Sequence, residues 1–330
     1  MFKKLAGALG IALIAGSAQA LVITPEGAAL GFTTASVVSG FPFNGLGPIG
    51  ITVLPNGNIL ANSVGDGRNY VFKDQNGQAF ASHIAVGDPV SCCGAYATSN
   101  GWAWGGNGGT LTRFNNDGTI AQSFNGIAVA NGVWTNPVDG HLIVAAGGIF
   151  DIDVSNINAP SVRAIPGTSQ GDGLTVSPDG TIVYTSSLTG YNIQTGARVF
   201  SHGVSGADGL GIIVSKNSLN GKLVSNTTVG LVILTDPTHW DANGNALATG
   251  DADVIIANQG ARGDYATPDA TDGSLLLTQG ADIWRLSCGA DCGIGAPPPP
   301  PPPNVPEPAS IALLVAGLAG LRATRNRKSL

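Results

Sequence analysis

Short apolar runs alternate with turn residues along most of the chain, and the alternation is periodic. The unit is a small or polar residue, a glycine, three or four mostly apolar residues, a turn of Pro, Asn or Asp with Gly, and a second apolar run. It appears as Gly50-Ile51-Thr52-Val53-Leu54-Pro55-Asn56-Gly57 and as Asn131-Gly132-Val133-Trp134-Thr135-Asn136-Pro137-Val138-Asp139-Gly140. The clearest copy is Asp172-Gly173-Leu174-Thr175-Val176-Ser177-Pro178-Asp179-Gly180, followed by Thr181-Ile182-Val183-Tyr184. Weaker copies turn at Asn100-Gly101, Asn220-Gly221 and Asp272-Gly273. Short runs rich in β-branched residues and bounded by such turns read as strands joined in hairpins.

The turn glycines 57, 101, 140, 180, 221 and 273 recur at intervals of roughly 40 residues, with a longer last interval. A second hairpin follows within several units, turning at Asn76-Gly77, Asp117-Gly118 and Thr195-Gly196. Two hairpins make four strands, the size of one propeller blade. Six turns predict six blades. The last blade is one strand short, because Ile283-Trp284-Arg285-Leu286 is its third strand and the chain then leaves at Cys288. Residues 32–38 are the candidate fourth strand, which would close the ring and cover the exposed edge.

Composition agrees. Among 330 residues there are 49 glycines and only 11% charged side chains, while 43% are hydrophobic. Glycine reaches the left-handed backbone region that tight turns need, and the apolar content is enough to fold. The net charge is −6, and the two ends hold six of the basic residues and one acid. The middle is therefore more acidic than the whole, which argues against a nucleic-acid partner and tolerates cations such as calcium.

The ends differ from the repeats. Residues 1–20 start with Lys3 and Lys4, continue through an apolar core over 5–15, and finish on Ala18-Gln19-Ala20, the three parts of a secretory signal peptide. Export permits disulfides, and Cys92, Cys93, Cys288 and Cys292 are the candidates, with three pairings open. At the other end, Pro297–Pro303 is an extended spacer of roughly 20 Å. Val305-Pro306-Glu307-Pro308 follows, then a short apolar stretch over 309–321 and a basic tail with Arg322, Arg325, Arg327 and Lys328. The apolar stretch is short for a bilayer, and the basic tail favours a cytoplasmic C-terminus. These features predict a weak, transient inner-membrane anchor with its domain outside.

Motif, helix and basic cluster in that order resemble the PEP-CTERM sorting signal. The resemblance implies recognition and cleavage by an exosortase near Pro306-Glu307-Pro308, and residence in the cell envelope, at the outer surface or in the extracellular matrix of an exopolysaccharide-making bacterium. The repeats resemble NHL-type and gluconolactonase-like six-bladed propellers. That second resemblance implies a divalent metal, Ca2+ being the candidate, held at the channel mouth by residues that open the inner strands. Asn131 and Asp172 match the Asn and Asp members, and Asp208 and Asp264 take corresponding places. Where that family has a Glu in the first blade, this chain has Ile49 or Gly50, which counts against lactonase chemistry.

Other motifs are weaker. Asp241-x-Asn243-x-Asn245 begins like a calcium loop but has Ala246 and Ala252 where Gly and Glu belong. Gly167-Thr168-Ser169-Gln170-Gly171 matches G-x-S-x-G without the strand–turn–helix that motif needs. Arg262-Gly263-Asp264 spells an adhesion tripeptide. His83, His141, His202 and His239 are scattered, with His83 and His202 the two able to approach the channel. Trp102, Trp104 and Trp134 are expected to fill wedges between blades, or else to line a sugar-stacking surface.

The reading is an all-β protein: signal peptide over 1–20, a six-bladed β-propeller of about 40-residue repeats over 21–292, a Pro-rich linker over 293–304, and a short transmembrane sorting helix with its basic tail over 305–330. Its expected function is that of an exported envelope or matrix protein whose propeller binds or scaffolds, with exopolysaccharide or envelope components as partners. The alternative is a divalent-metal-dependent, lactonase-like hydrolase.

Overall fold

All six expected turn glycines adopt left-handed φ values, between 72° at Gly180 and 81° at Gly57, and each joins the first and second strands of one of six sheets, four of them four-stranded and two extended by short added strands. The computed structural model describes residues 20–91, 94–129, 131–169, 172–202, 207–248, 253–289 and, for the backbone alone, 292–294. The signal peptide and the sorting tail lie outside the described residues, as do Cys92 and Cys93. Among the described residues no helix is long and apolar enough to cross a membrane.

The sheets are six propeller blades. Blade 1 is Pro48–Val53, Ile59–Ser63, Arg68–Phe72 and Ala85–Pro89; blade 2 is Tyr96–Ser99, Trp102–Asn107, Thr110–Phe114 and Ile120–Ala128. Blade 3 is Gly132–Thr135, Leu142–Ala145, Ile149–Asp153 and Ser161–Ile165; blade 4 is Leu174–Val176, Ile182–Thr185, Thr189–Asn192 and Arg198–Ser201. Blade 5 is Ala207–Ser215, Leu223–Thr227, Val232–Thr235 and Asp253–Asn258. Blade 6 takes Gly263–Asp269, Ser274–Gln279 and Asp282–Ser287 from one end of the chain and its outer strand, Thr33–Ser39, from the other.

That closing strand lies where the sequence places it. Thr33 stands opposite Ser287 and Val38 opposite Ile283, antiparallel. Without it the third strand of blade 6 would present an open row of backbone donors and acceptors. The long last interval is occupied by the connection between the third and outer strands of blade 5, which includes a 3₁₀ turn at Pro237–His239.

An Asx-Gly pair between two strands suits a two-residue hairpin, but most of the first turns are longer. Among the six first turns, Asn100-Gly101 alone has two consecutive left-handed residues, at φ 47° and 75°. Elsewhere a longer turn forms first and the glycine closes it, as when Gly57 N donates to Leu54 O at 2.9 Å and Gly180 N to Ser177 O at 2.9 Å. Pro, Asn and Asp in the preceding positions suit that turn better than a tight hairpin.

Neighbouring inner strands touch all the way round, so the ring is closed. Between blades the apolar faces interdigitate. Trp104 and Trp134 are buried there and unavailable to a ligand, and Trp102 is covered by the Arg113 guanidinium, 4.3 Å from its ring centre. The histidines also lie away from the channel: His83 sits among Tyr70, Phe72 and Phe80, and His202 stacks on Trp240 and bonds Asp253 at 2.6 Å.

Short pieces decorate the ring. Gln78–Ala79, from the third-to-outer-strand connection of blade 1, pairs in parallel with Val38 and Ser39 on the outer strand of blade 6. Val22–Ile23 extends the outer edge of blade 5. The helix Pro25–Ala29 is capped by Thr24, whose Oγ1 accepts from Gly27 N at 3.0 Å. Cys292–Ile294 pairs with the last three residues of the blade 5 inner strand. Cys288, just before that piece, is disulfide-bonded.

Candidate functional site at the channel mouth

Because every inner strand runs from one face of the ring to its turn glycine on the other, residues that open the inner strands gather at one mouth. Asn131 immediately precedes the inner strand of blade 3, Asp172 precedes that of blade 4, and Asp208 and Asp264 are second in those of blades 5 and 6. What lets the strands converge is the residue after each. A Cβ on Gly132 would lie 2.5 Å from Asp172 O, one on Gly173 2.2 Å from Asp208 O, and one on Gly209 2.7 Å from the Tyr265 carbonyl carbon. Real Cβ atoms do not approach backbone that closely, so each of these glycines is a packing requirement.

The four side chains form two groups. Asn131 Nδ2 donates to Asp172 Oδ1 at 2.8 Å, and Asp172 N–H is held by Ser186 Oγ at 3.0 Å. Arg262 bridges the other pair: Nη2 lies 3.1 Å from Asp208 Oδ2, and Nε 2.9 Å from Asp264 Oδ1. Burial pushes the Asp264 carboxyl up to about 6; Arg262 pulls it down and the Asp208 charge pushes it up again. The two carboxylates raise the Arg262 guanidinium against the opposing effect of burial. The tripeptide over 262–264 is thus an internal ion pair.

Below the mouth the axis is closed. Blade 6 carries Tyr265 where blades 1 to 5 carry Gly50, Gly94, Gly132, Gly173 and Gly209. Its side chain is buried and crosses the ring, and its hydroxyl lies 2.9 Å from Tyr96 O in blade 2 and 2.8 Å from Val133 O in blade 3. Burial raises the phenol far above its ordinary pKa. From behind, Asn226 Nδ2 donates to Tyr265 O at 3.0 Å and to Thr278 O at 2.8 Å. The sequence reading missed both Arg262 as a counter-ion and Tyr265 as a plug. The available signal was one bulky aromatic in a column of glycines.

For a metal the donor set is mixed. The oxygens are of the type calcium takes, but Asp172 Oδ1, Asp208 Oδ2 and Asp264 Oδ1 each accept a hydrogen bond from Asn131 or Arg262. Among the described residues no group of three or more His, Cys, Asp or Glu side chains has metal-holding geometry. Asp241 is occupied by its own loop, accepting from Asn243 N at 2.7 Å and Asn245 N at 2.9 Å. Ser169 Oγ meets only the Tyr191 hydroxyl, at 2.9 Å, among its described hydrogen bonds.

Comparison with known families adds what the ring cannot. The PEP-CTERM protein-sorting motif matches residues 304–328. The chain carries a PEP-CTERM sorting signal. That signal marks an exported, exosortase-processed protein routed through the cell envelope by a membrane-anchored tail. No curated protein sequence matches the chain. Among solved structures, a gluconolactonase from Xanthomonas campestris superposes with TM-score 0.54 and 15% identity over 82% of this chain and 95% of that one. A structural-genomics protein proposed to be a gluconolactonase gives TM-score 0.54 and 15% identity over 84% of this chain and 100% of its own. Likeness at this level establishes a shared six-bladed architecture and nothing about activity.

Proposed function

We propose that this PEP-CTERM protein is a binding and scaffold module of the cell envelope or extracellular matrix, sorted by an exosortase and presenting the polar mouth of its propeller to exopolysaccharide or other envelope components. The reading is carried by the combination of a sorting signal with a mouth whose charges are paired and whose axis is plugged by Tyr265. A shallow, polar, acid-rich mouth suits hydroxyl donors better than a deep apolar ligand. Deleting residues 304–330 should change both the location and the apparent size of the protein in its native host. If fractionation and gel mobility are the same with and without those residues, the reading fails.

A second reading keeps a cation at the mouth and a hydrolase around it. It is supported by Asn131, Asp172, Asp208 and Asp264 lying at or just before the starts of four consecutive inner strands. There the cation would polarise a carbonyl and activate water. A ligand specific to the folded state at a hundredfold excess over its Kd adds about 2.7 kcal/mol of stability. The binding reading expects thermal melts in calcium and in EDTA to coincide. A calcium-dependent rise that disappears in Asp172→Ala would instead favour the second reading.

A further inference from the structure

The same geometry that builds the mouth also fixes where the chain leaves the ring. The inner strand of blade 5 starts at the mouth with Ala207 and Asp208 and ends at Ser215 on the turn face. Cys292–Ile294 pairs only with the lower end of that strand, Ile213 opposite Ile294, Val214 opposite Gly293 and Ser215 opposite Cys292. The third strand of blade 6 delivers the chain to the same place. It begins at Asp282, just after the mouth-side turn at Gly280, and ends at Ser287 beside the disulfide-bonded Cys288. At ~3.4 Å per residue, the five steps from Asp208 to Ile213 put the exit about 17 Å below the mouth.

The tether beyond that exit is short. Ten residues lie between Ile294 and Val305, seven of them the prolines 297–303. Fully extended, they reach at most about 35 Å. A domain of this size has a radius of gyration near ~19 Å, so it is roughly 48 Å across. The tether therefore cannot pass from the turn face round the rim and still reach a bilayer lying against the mouth.

We infer that, while the sorting tail is membrane-inserted, the propeller stands with its turn face toward the bilayer and its mouth of Asn131, Asp172, Asp208, Arg262 and Asp264 facing away. The inference rests on the sorting-signal reading and deepens it. The mouth is offered to a soluble or matrix-borne polar ligand, and lipid headgroups are out of its reach. Exosortase cleavage then releases the ring without uncovering the mouth, because the mouth is open beforehand.

Two exposed valines on opposite faces provide the test. Val138 lies in the first turn of blade 3 and is 64% exposed; Val229 lies in the second turn of blade 5, on the mouth side, and is 74% exposed. The mature, unprocessed chain carrying Val138→Cys or Val229→Cys is labelled with a donor dye and reconstituted into vesicles containing an acceptor lipid. Chain without either substitution is the labelling blank. With the faces separated by an inner strand of roughly 20 Å or more, energy transfer to the bilayer should be about twofold or more greater from position 138 than from 229. Equal transfer, or more from 229, overturns the orientation while leaving the anchor intact. Transfer from neither site overturns the anchor reading and the orientation together.

Discussion

Replacing Arg285 by alanine is expected to destabilise the protein by about 3–5 kcal/mol, because it leaves buried carboxylates without their counter-ion. Arg285 is on the third strand of blade 6, and its guanidinium pairs with Asp74 from the third-to-outer-strand turn of blade 1 and with Asp272 from the first turn of blade 6. A third carboxylate, Asp269 Oδ2, lies 3.3 Å from Nη2 and is fully buried. Thr271 Oγ1 joins the group, 2.7 Å from Asp74 Oδ2 and 2.6 Å from Asp269 Oδ1. The cluster ties the first blade to the last, beside the closing strand Thr33–Ser39 that pairs with Asp282–Ser287.

The loss should depend on pH, and its direction follows from Asp269. Burial, before any other cause, pushes that carboxyl up to about 6, above the ordinary aspartate value near ~3.9. The folded state therefore binds the proton more tightly than the unfolded chain. Asp269 contributes stability that is fully present below the unfolded pKa and is lost as pH rises through about 6. Asp264, also pushed up to about 6, acts in the same direction. Arg285→Ala should thus be weakest above that range and recover part of its loss toward about pH 5, where Asp269 takes up its proton. Chemical denaturation of both proteins at two pH values measures this. A loss under 1 kcal/mol, or one that grows on acidification, would contradict the buried-cluster account.

Truncating Tyr265 to alanine should cost a similar amount, about 3–5 kcal/mol, through the cavity left in the ring axis. Tyr265→Phe keeps the ring and removes only the hydroxyl, and is expected to cost about 1–2 kcal/mol. The smaller cost reflects two carbonyls, Tyr96 O and Val133 O, losing a shared donor. Blades 2, 3 and 6 meet at that one oxygen, so the alanine variant should also loosen contacts far apart in sequence. Amide exchange in the inner strands of blades 2 and 3 would report this. An alanine variant with unchanged melting and exchange would mean that the side chain does not bridge the axis.

How far the sequence reaches is shown by individual residues. The turn glycines carry the blade count, because each needs a backbone region other residues avoid and each therefore marks the same turn. The closing strand over Thr33–Ser39 was legible by elimination, since one blade had three strands and one strand had no blade. The sorting signal was legible because its information is linear: motif, apolar stretch and basic end are read in order by another protein. The mouth was legible only in part. Inner-strand alignment places Asn131, Asp172, Asp208 and Asp264 on one face, since strand direction and turn position decide which end of each strand points where.

What the fold alone decided is which of those groups touch. Asp208 and Arg262 are far apart in sequence and on different blades, yet they form an ion pair at 3.1 Å. Asp74 and Arg285 meet only because the ring closes. Tyr265 reads as one more strand residue until the ring brings Tyr96 and Val133 within reach of its hydroxyl. Local pattern determines strands, turns and their count because these depend on backbone conformation and on burial of one face or both. Pairing of charges and closure of the axis depend on distances between blades, and those distances exist only once six separately patterned sheets have been brought round into a circle.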